Sequence, residues 1–287
     1  DEGRFYLSDA EEGKRETIIT SVLDAQPIQC LRVSGPAVIT MIAAAMLGAS
    51  FVFATFHWWW LTILATLGAA GAILYWLWTG TAQHPEKVEK DIGLGTTVPL
   101  YVSGPKSTGW WAMFITMTGD LTAFLGVVFG YFFFWTVHEE FPPGGTTDPG
   151  WQWPFAAGAL LLASWGATWG ARVINGRGGV GLARLLLVAA PLAAAAGIAA
   201  LAAGPWFSGM DPTEHTYPAI VWALVLWTGA HIGVGIVMQL YCLARSLVGH
   251  LTPVYDMDLW NVALYWHFMA FTALVTTLVI GGFPYVS

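Results

Sequence analysis

Three ionisable side chains lie inside long apolar stretches of the sequence: Asp120, His231 and His267. A charged carboxylate at the centre of a bilayer costs roughly 2.5–3.5 kcal/mol on insertion scales. Asp120 should therefore face the interior of a helix bundle, where it either exchanges a proton or only joins helices by a hydrogen bond. If the three helices are neighbours, the three residues form one intramembrane polar cluster. Metal binding needs more ligands at fixed spacing, so we predict no metal site and no catalytic residue in this chain.

The composition requires a membrane around these groups. Of 287 residues, 56% are apolar and 10% are charged, whereas soluble domains carry about 25% charged residues. The chain is therefore expected to be an integral membrane protein. The net charge of −7, with 11 Lys and Arg, provides no basic field for phosphates, so we expect no nucleic-acid partner.

Long apolar runs rich in Ala and Leu predict helices and not alternating strands. We predict an all-α fold with seven transmembrane helices, at 37–56, 58–79, 109–137, 152–171, 182–203, 217–244 and 259–282. The first two join at a turn over Thr55–His57, because one helix of that length would be about twice the hydrocarbon thickness. The chain then divides into a cytoplasmic tail, a two-helix hairpin, a connector and a five-helix bundle, at 1–36, 37–80, 81–108 and 109–287.

The distribution of basic residues predicts the orientation. With seven spans, every Lys and Arg falls on one side of the membrane. The loops on the other side, 138–151 and 204–216, carry acidic residues only. The positive-inside rule then places the N-terminus in the cytoplasm and the C-terminus outside.

Glycines at four-residue spacing predict close contacts between helices. Such pairs occur on three of the spans: Gly126 and Gly130, Gly166 and Gly170, and Gly229 and Gly233. This spacing is common in membrane helices and indicates packing without indicating a particular function.

Three segments resemble subunit III of the haem-copper cytochrome c oxidases. Span 6 reads Gly229-Ala230-His231-Ile232-Gly233-Val234-Gly235 and ends Cys242-Leu243-Ala244-Arg245, and span 7 opens Tyr265-Trp266-His267-Phe268. Span 3 is similar to the family's third helix, because Phe114-Ile115 leads to an intramembrane acid, Asp120. The family usually has Glu at this position, and it has an acid where Ala270 stands here.

The tail carries a second resemblance. The segment from Arg15-Glu16-Thr17 to Pro27 is similar to the C-terminal extension of subunit I in bacterial oxidases. A fusion of subunits I and III would explain this junction and the missing initial Met. The sequence would then be the C-terminal part of that fusion.

The resemblance implies a fold and a set of partners. In the family, a lipid-holding cleft separates the two-helix hairpin from the five-helix bundle, and Arg245 matches the arginine that binds lipid phosphate. His250 and Trp78 are further lipid-binding candidates. The subunit stabilises subunit I and supports proton uptake during the reduction of dioxygen to water. Subunits I and II, phospholipids and, with the whole complex, cytochrome c are the implied partners, in a bacterial plasma membrane.

The resemblance also implies that this chain carries no cofactor apart from phospholipid. Haem and copper are expected in partner subunits or in the missing subunit I part. Two other functions stay open. The chain could be the matching subunit of a quinol oxidase or of a nitric oxide reductase, or it could be an ion or solute transporter with Asp120 as its carrier site.

Overall fold

A computed structural model describes residues 14–34, 37–81, 84–85, 87–143 and 149–285. The first part of the predicted tail, residues 1–13, lies outside the described residues, as do positions 35–36 and 144–148. The described chain divides into two compact units, one ending at Val102 and the other beginning at Ser103. The first contains two of the long helices and the second contains five.

Seven α-helices occur in the described residues: α1 (Val38–Thr55), α2 (Trp59–Thr81), α3 (Thr108–Val137), α4 (Gln152–Gly176), α5 (Val180–Phe207), α6 (Thr216–Leu247) and α7 (Met257–Gly281). Six of them, all except α4, contain a stretch long and apolar enough to cross a bilayer. The protein is therefore a mostly helical, multi-pass membrane protein. Helix α4 is 25 residues long but carries more polar positions, so it does not meet this criterion.

The turn predicted at Thr55–His57 is confirmed. Helix α1 ends at Thr55, and α2 begins at Trp59. His57 between them has a φ of 59°, a left-handed conformation that reverses the chain in few residues. The two helices pack against each other through small side chains, including the buried residues Ala43 and Ala69.

The structure adds strands that the sequence did not predict. Two antiparallel pairs form, β1 (Lys14–Thr20) with β2 (Pro27–Ser34) and β3 (Glu89–Asp91) with β4 (Thr97–Pro99). Strands β2 and β4 are in contact, and the Gln29 amide donates to the Leu100 carbonyl at 3.3 Å. We call residues 14–34 and 87–100 the β region. Its small apolar core consists of Cys30, Val98 and Leu100, with Ile92 at its margin.

A buried carboxylate joins the two sheets of the β region. Glu16 exposes 1% of its side chain and contacts the Lys90 ammonium at 2.5 Å and Arg32 Nε at 2.7 Å. Lys90 lies 74 positions along the chain, so tail and connector fold together as one structure. The all-α prediction is therefore corrected for the β region and stands for the long apolar runs.

Helix α7 is the central element of the second unit. It packs against α3, α4 and α6, and 61% of its most apolar stretch is buried, compared with 11% for α3. Trp266 and Met269 on α7, with Ile232 on α6, lie in the core that these helices share. Because α7 is surrounded, residues on its different faces contact different helices.

The tightest glycine contacts are not those that the four-residue spacing predicted. A Cβ added at Gly126, Gly166 or Gly233 would meet no heavy atom within 4 Å. A Cβ at Gly158 or Gly197 would instead lie 2.7 Å from a side-chain atom of another helix. Spacing alone does not say which face of a helix meets a neighbour, so the prediction is wrong for the first three positions.

Candidate functional site: the Asp120–His231 pair

Helices α3 and α6 bring an acid and an imidazole together. Asp120 lies on α3 and His231 on α6, with Oδ2 of the aspartate 3.8 Å from Nε2 of the histidine. This separation is longer than a direct hydrogen bond and short enough for a strong charge interaction in a low-dielectric setting. The sequence predicted that these two residues share a polar cluster, and the structure places them side by side.

The hydrogen bond of the other ring nitrogen of His231, Nδ1, determines which nitrogen carries the proton in the neutral ring. Nδ1 lies 2.8 Å from the Trp227 carbonyl oxygen one turn earlier on α6. A carbonyl only accepts, so Nδ1 carries a proton and donates it. The nitrogen that faces Asp120 is then bare in the neutral ring and protonated only in the charged ring. The pair can consequently hold one proton on either the carboxyl group or the imidazole.

Two aromatic residues hold His231 in this orientation. Its ring stacks on Trp227 with the centroids 3.8 Å apart and the planes 23° apart. The Tyr265 hydroxyl on α7 donates to the backbone carbonyl of His231 at 2.6 Å. Helix α7 thereby contacts the pair through the first residue of its Tyr-Trp-His-Phe segment.

The sequence predicted that Asp120 faces the interior of the bundle, but the structure does not place it in a sealed interior. Its side chain is 37% exposed and that of His231 is 25% exposed, so the pair lies at the margin of the bundle. Asp256 and Glu16 are more deeply buried acids, and both lie outside the predicted spans. Residue position along a span does not reveal the helix face, which explains the difference.

The structure separates His267 from the pair. Its Nδ1 accepts a hydrogen bond from the Trp165 indole of α4 at 2.7 Å, and its ring also lies 4.9 Å from that of Trp169. Tyr265 and Phe268 on α7 contact residues of α6, whereas His267 points toward α4. The predicted three-residue cluster is therefore corrected to the pair Asp120 and His231.

Arg245, predicted to bind a lipid phosphate, is engaged inside the protein. Its side chain is 7% exposed, and Nη1 contacts the Asp258 carboxylate at the start of α7. The side chain also lies beside Tyr241, with 5.9 Å from Cζ to the ring centroid. An ionic partner in place neutralises much of the charge that a phosphate would need.

The other two lipid-binding candidates occupy different units. His250 follows α6 and is half-buried, and its backbone N–H donates to the Arg245 carbonyl at 2.9 Å. Trp78 is half-buried near the end of α2, in the first unit. The lipid-binding role of these residues stays a prediction.

Sequence reasoning missed two polar clusters in the bundle. The fully buried Gln239 amide donates to Ser164 and Thr168, which joins α6 to α4. Near the start of α7, burial raises the pKa of Asp256, and a Ser103 hydrogen bond and the Arg172 charge oppose that effect. Hydroxyl and amide residues within α4 and α6 were the available signal for the first cluster.

Metal ligation has no evident site in the parts of the chain that the structure describes, where no three His, Cys, Asp or Glu side chains group together. The arrangement that remains is a carboxyl–imidazole pair between α3 and α6. Comparison of the chain with protein-family models gives no match, and comparison with curated proteins gives none either.

Proposed function

We propose that this chain is subunit III, or the subunit III part of a subunit I–III fusion, of a proton-pumping haem-copper cytochrome c oxidase. In this role it stabilises subunit I, holds phospholipid and supports proton uptake while the complex reduces dioxygen to water. The electron-transfer groups belong to partner subunits or to the subunit I part, and subunit II and cytochrome c complete the assembly.

One observation carries the proposal: the three segments that resemble the family meet at one place. Asp120 from span 3 lies beside His231 from the Gly-x-His segment of span 6. Tyr265 from the Tyr-Trp-His-Phe segment of span 7 donates to the backbone of that same histidine. Intramembrane polar groups tend to pair in any helical bundle, so the support comes from the contact of Tyr265 of the third segment with this same pair.

The grouping of helices supports the same proposal. Helices α1 and α2 belong to one compact unit and α3 to α7 to the other, in the proportion that the family's hairpin and bundle require. For a seventh span, α4 is long enough, and its polar residues Ser164, Thr168 and Asn175 are fully buried against neighbouring helices. Polar groups directed inward are compatible with a membrane-spanning helix. The orientation proposed is the one with the N-terminus in the bacterial cytoplasm.

A transporter is the rival that the same structure argues against. Transporter sites commonly use helices broken near the bilayer centre, whereas all seven helices here run continuously from first to last residue. Purification of the full protein in mild detergent distinguishes an oxidase subunit from a transporter. We expect it to co-purify with a protein whose visible spectrum shows haem. A chain that purifies alone and moves an ion or solute into vesicles would contradict the proposal.

The Asp120–His231 pair is tested inside the purified complex. Asp120→Asn removes the carboxyl that shares the proton, so we expect slower steady-state turnover or a shorter catalytic lifetime, with unchanged subunit composition. Asp211→Asn is the matched control, in an exposed loop where the Asp211 carboxylate accepts hydrogen bonds from the backbone N–H and the hydroxyl of Thr213. Wild-type turnover and lifetime in Asp120→Asn would remove the pair from the mechanism.

The proposed lipid-binding role of Arg245 is tested by comparing a variant of Arg245 with a variant of its ionic partner, Asp258. Arg245→Ala and Asp258→Asn both break the buried pair, but only the first removes the cation. If Arg245 binds phosphate, the phospholipid retained by the complex falls in Arg245→Ala and is maintained in Asp258→Asn. Equal lipid content in both variants and the wild type, measured by mass spectrometry, would contradict the lipid role.

A further inference from the structure

His267 presents a hydrogen-bond donor outward from the bundle. Its Nδ1 accepts from the Trp165 indole at 2.7 Å. An indole nitrogen can only donate, so Nδ1 carries no proton and the neutral ring carries its proton on Nε2. Within the residues that the structure describes, no acceptor bonds to this Nε2–H, and the side chain is exposed.

The surroundings of this donor are apolar. Phe271 and Leu274, four and seven positions after His267, lie on the same face of α7. On α4, Leu162 lies three positions before Trp165 and Trp169 lies four positions after it, which places both on the face of Trp165. We call this set the His267 surface: Leu162, Trp165, Trp169, His267, Phe271 and Leu274. An N–H without a partner is unfavourable in hydrocarbon, because no water is present to accept its bond.

The depth of His267 restricts what can accept that bond. Trp260 lies under the Arg172 guanidinium, with 3.3 Å from Cζ to the ring centroid, and such a cation and indole belong at headgroup level. His267 follows Trp260 by seven residues, which is about 10 Å along the helix. The polar interface of a bilayer is only about 5–7 Å thick on each side. The backbone of His267 therefore lies deeper than the polar interface, whereas a transmembrane helix offers acceptor groups at any depth.

A second copy of this chain does not supply the acceptor through a symmetric contact. An isologous interface on the His267 surface would place the same residues opposite one another. Those residues are tryptophan, leucine and phenylalanine, and the one remaining acceptor, Nδ1 of His267, is already used by Trp165. A heterologous contact between copies would form rings or open filaments, so a different polypeptide is the favoured source of the acceptor.

We propose that the His267 surface docks a transmembrane helix of a partner protein, which directs a carboxyl, hydroxyl or carbonyl oxygen to Nε2 of His267. The Trp165 hydrogen bond fixes the donor in place before the partner arrives, and the flanking aromatic and leucine side chains pack on the partner's apolar face. This surface uses α4 and α7 and is separate from the Asp120–His231 pair. The inference does not require the partner to be an oxidase subunit.

Photo-crosslinking in the native membrane tests the docking. A benzophenone amino acid replaces Phe271 in the full chain, and a matched control replaces Leu192 on α5, which is 67% exposed. We expect the probe at 271 to give an adduct with one integral membrane polypeptide, mapped by mass spectrometry to an apolar helix containing an acceptor residue. Adducts with phospholipid only, or the same products from both positions, would overturn the inference.

The role of the donor is tested in the same crosslinking background. His267→Gln keeps an acceptor for Trp165 and an outward N–H, whereas His267→Leu removes both. We expect crosslink yield to fall by about threefold to tenfold in His267→Leu, the range for one interhelical hydrogen bond in a membrane, and to be largely retained in His267→Gln. Equal yields in both variants would overturn the proposed bond. An adduct with a helix of a complex that lacks haem would support this inference while contradicting the proposed oxidase function.

Discussion

The β region and the five-helix bundle differ in how much of their cohesion comes from apolar packing. In the β region, the buried Glu16 carboxylate joins Lys90 and Arg32 around a small apolar core. In the bundle, helices approach through glycines, and Gly158 and Gly197 leave no room for a Cβ. The bundle has its own ion pair, Arg245 with Asp258, at one end. Asp120, within α3, is instead half-exposed and lies 3.8 Å from its partner.

The comparison of Glu16 with Asp120 indicates which carboxylate stabilises the fold. The β region has too few apolar residues to depend on burial alone, so removing one member of its ion cluster should leave a buried charge without compensation. The bundle buries many apolar side chains and does not need Asp120 for its cohesion. An acid that is loosely held, half-exposed and beside an imidazole is therefore better suited to exchange a proton than to stabilise the fold.

The largest effect is expected from Glu16→Gln. This change leaves the Lys90 ammonium, 6% exposed, beside a neutral amide, and breaking a buried ion pair costs about 3–5 kcal/mol. Hydrogen exchange of the β1 and β2 amides should become much faster. Glu89→Gln, at an exposed position of β3, is the control. Similar exchange in the two variants would show that the β region does not depend on the ion cluster.

Acid should have the same effect on the wild-type β region. Burial raises the pKa of Glu16, but the hydrogen bonds from Lys90 and Arg32 outweigh it and hold the pKa below the ordinary 4.5. A carboxyl with a lowered pKa stabilises the fold above its unfolded-state pKa, and this stabilisation is lost as pH falls through the folded-state value. The protection factors of the β1 and β2 amides, which compare the observed exchange rate with the intrinsic rate at the same pH, should fall only below about pH 4.5. An acid response of the same size in Glu16→Gln would contradict this assignment.

Close packing in the bundle is tested by Gly197→Ala. The added Cβ would lie 2.7 Å from Cδ2 of Leu161, a buried core residue, and overpacking of this kind costs about 1–3 kcal/mol. Thermal unfolding in detergent should shift to lower temperature. Gly166→Ala is the matched control, since its Cβ meets open space, and better helix propensity should maintain or raise stability by up to about 1 kcal/mol. The reverse order of the two variants would contradict the observed packing.

The smallest structural effect is expected from Asp120→Asn. The pair is half-exposed and too far apart for a direct hydrogen bond, so its loss should change the stability of the bundle by about 1 kcal/mol or less. Thermal unfolding of the purified protein measures this. A loss as large as that of Glu16→Gln would show that Asp120 is structural, and the contrast between the two regions would fail.

Much of the helical fold could be predicted because apolar runs of bilayer length have few alternatives. The turn at His57 followed from the same length argument. The strands were not predicted although β1 and β2 are seven and eight residues long and contain apolar residues such as Ile18 and Ile19. Their charged residues were assigned to a polar tail, and the contact of Glu16 with Lys90 comes from a distant part of the chain. The candidate site was predicted in part: the pairing of Asp120 with His231 followed from the residue types, and the position of His267 did not.

The sequence by itself determined that the chain enters a membrane as helices, because hydrocarbon leaves backbone groups no partner outside regular structure. It also indicated that Asp120, His231 and His267 would lie deep within the apolar spans. Only the tertiary structure decided which helix faces meet. Packing of α3, α4 and α6 around α7 places His231 beside Asp120 and directs His267 toward Trp165. The rotation of each helix about its axis depends on this packing between helices and not on the composition of any one of them.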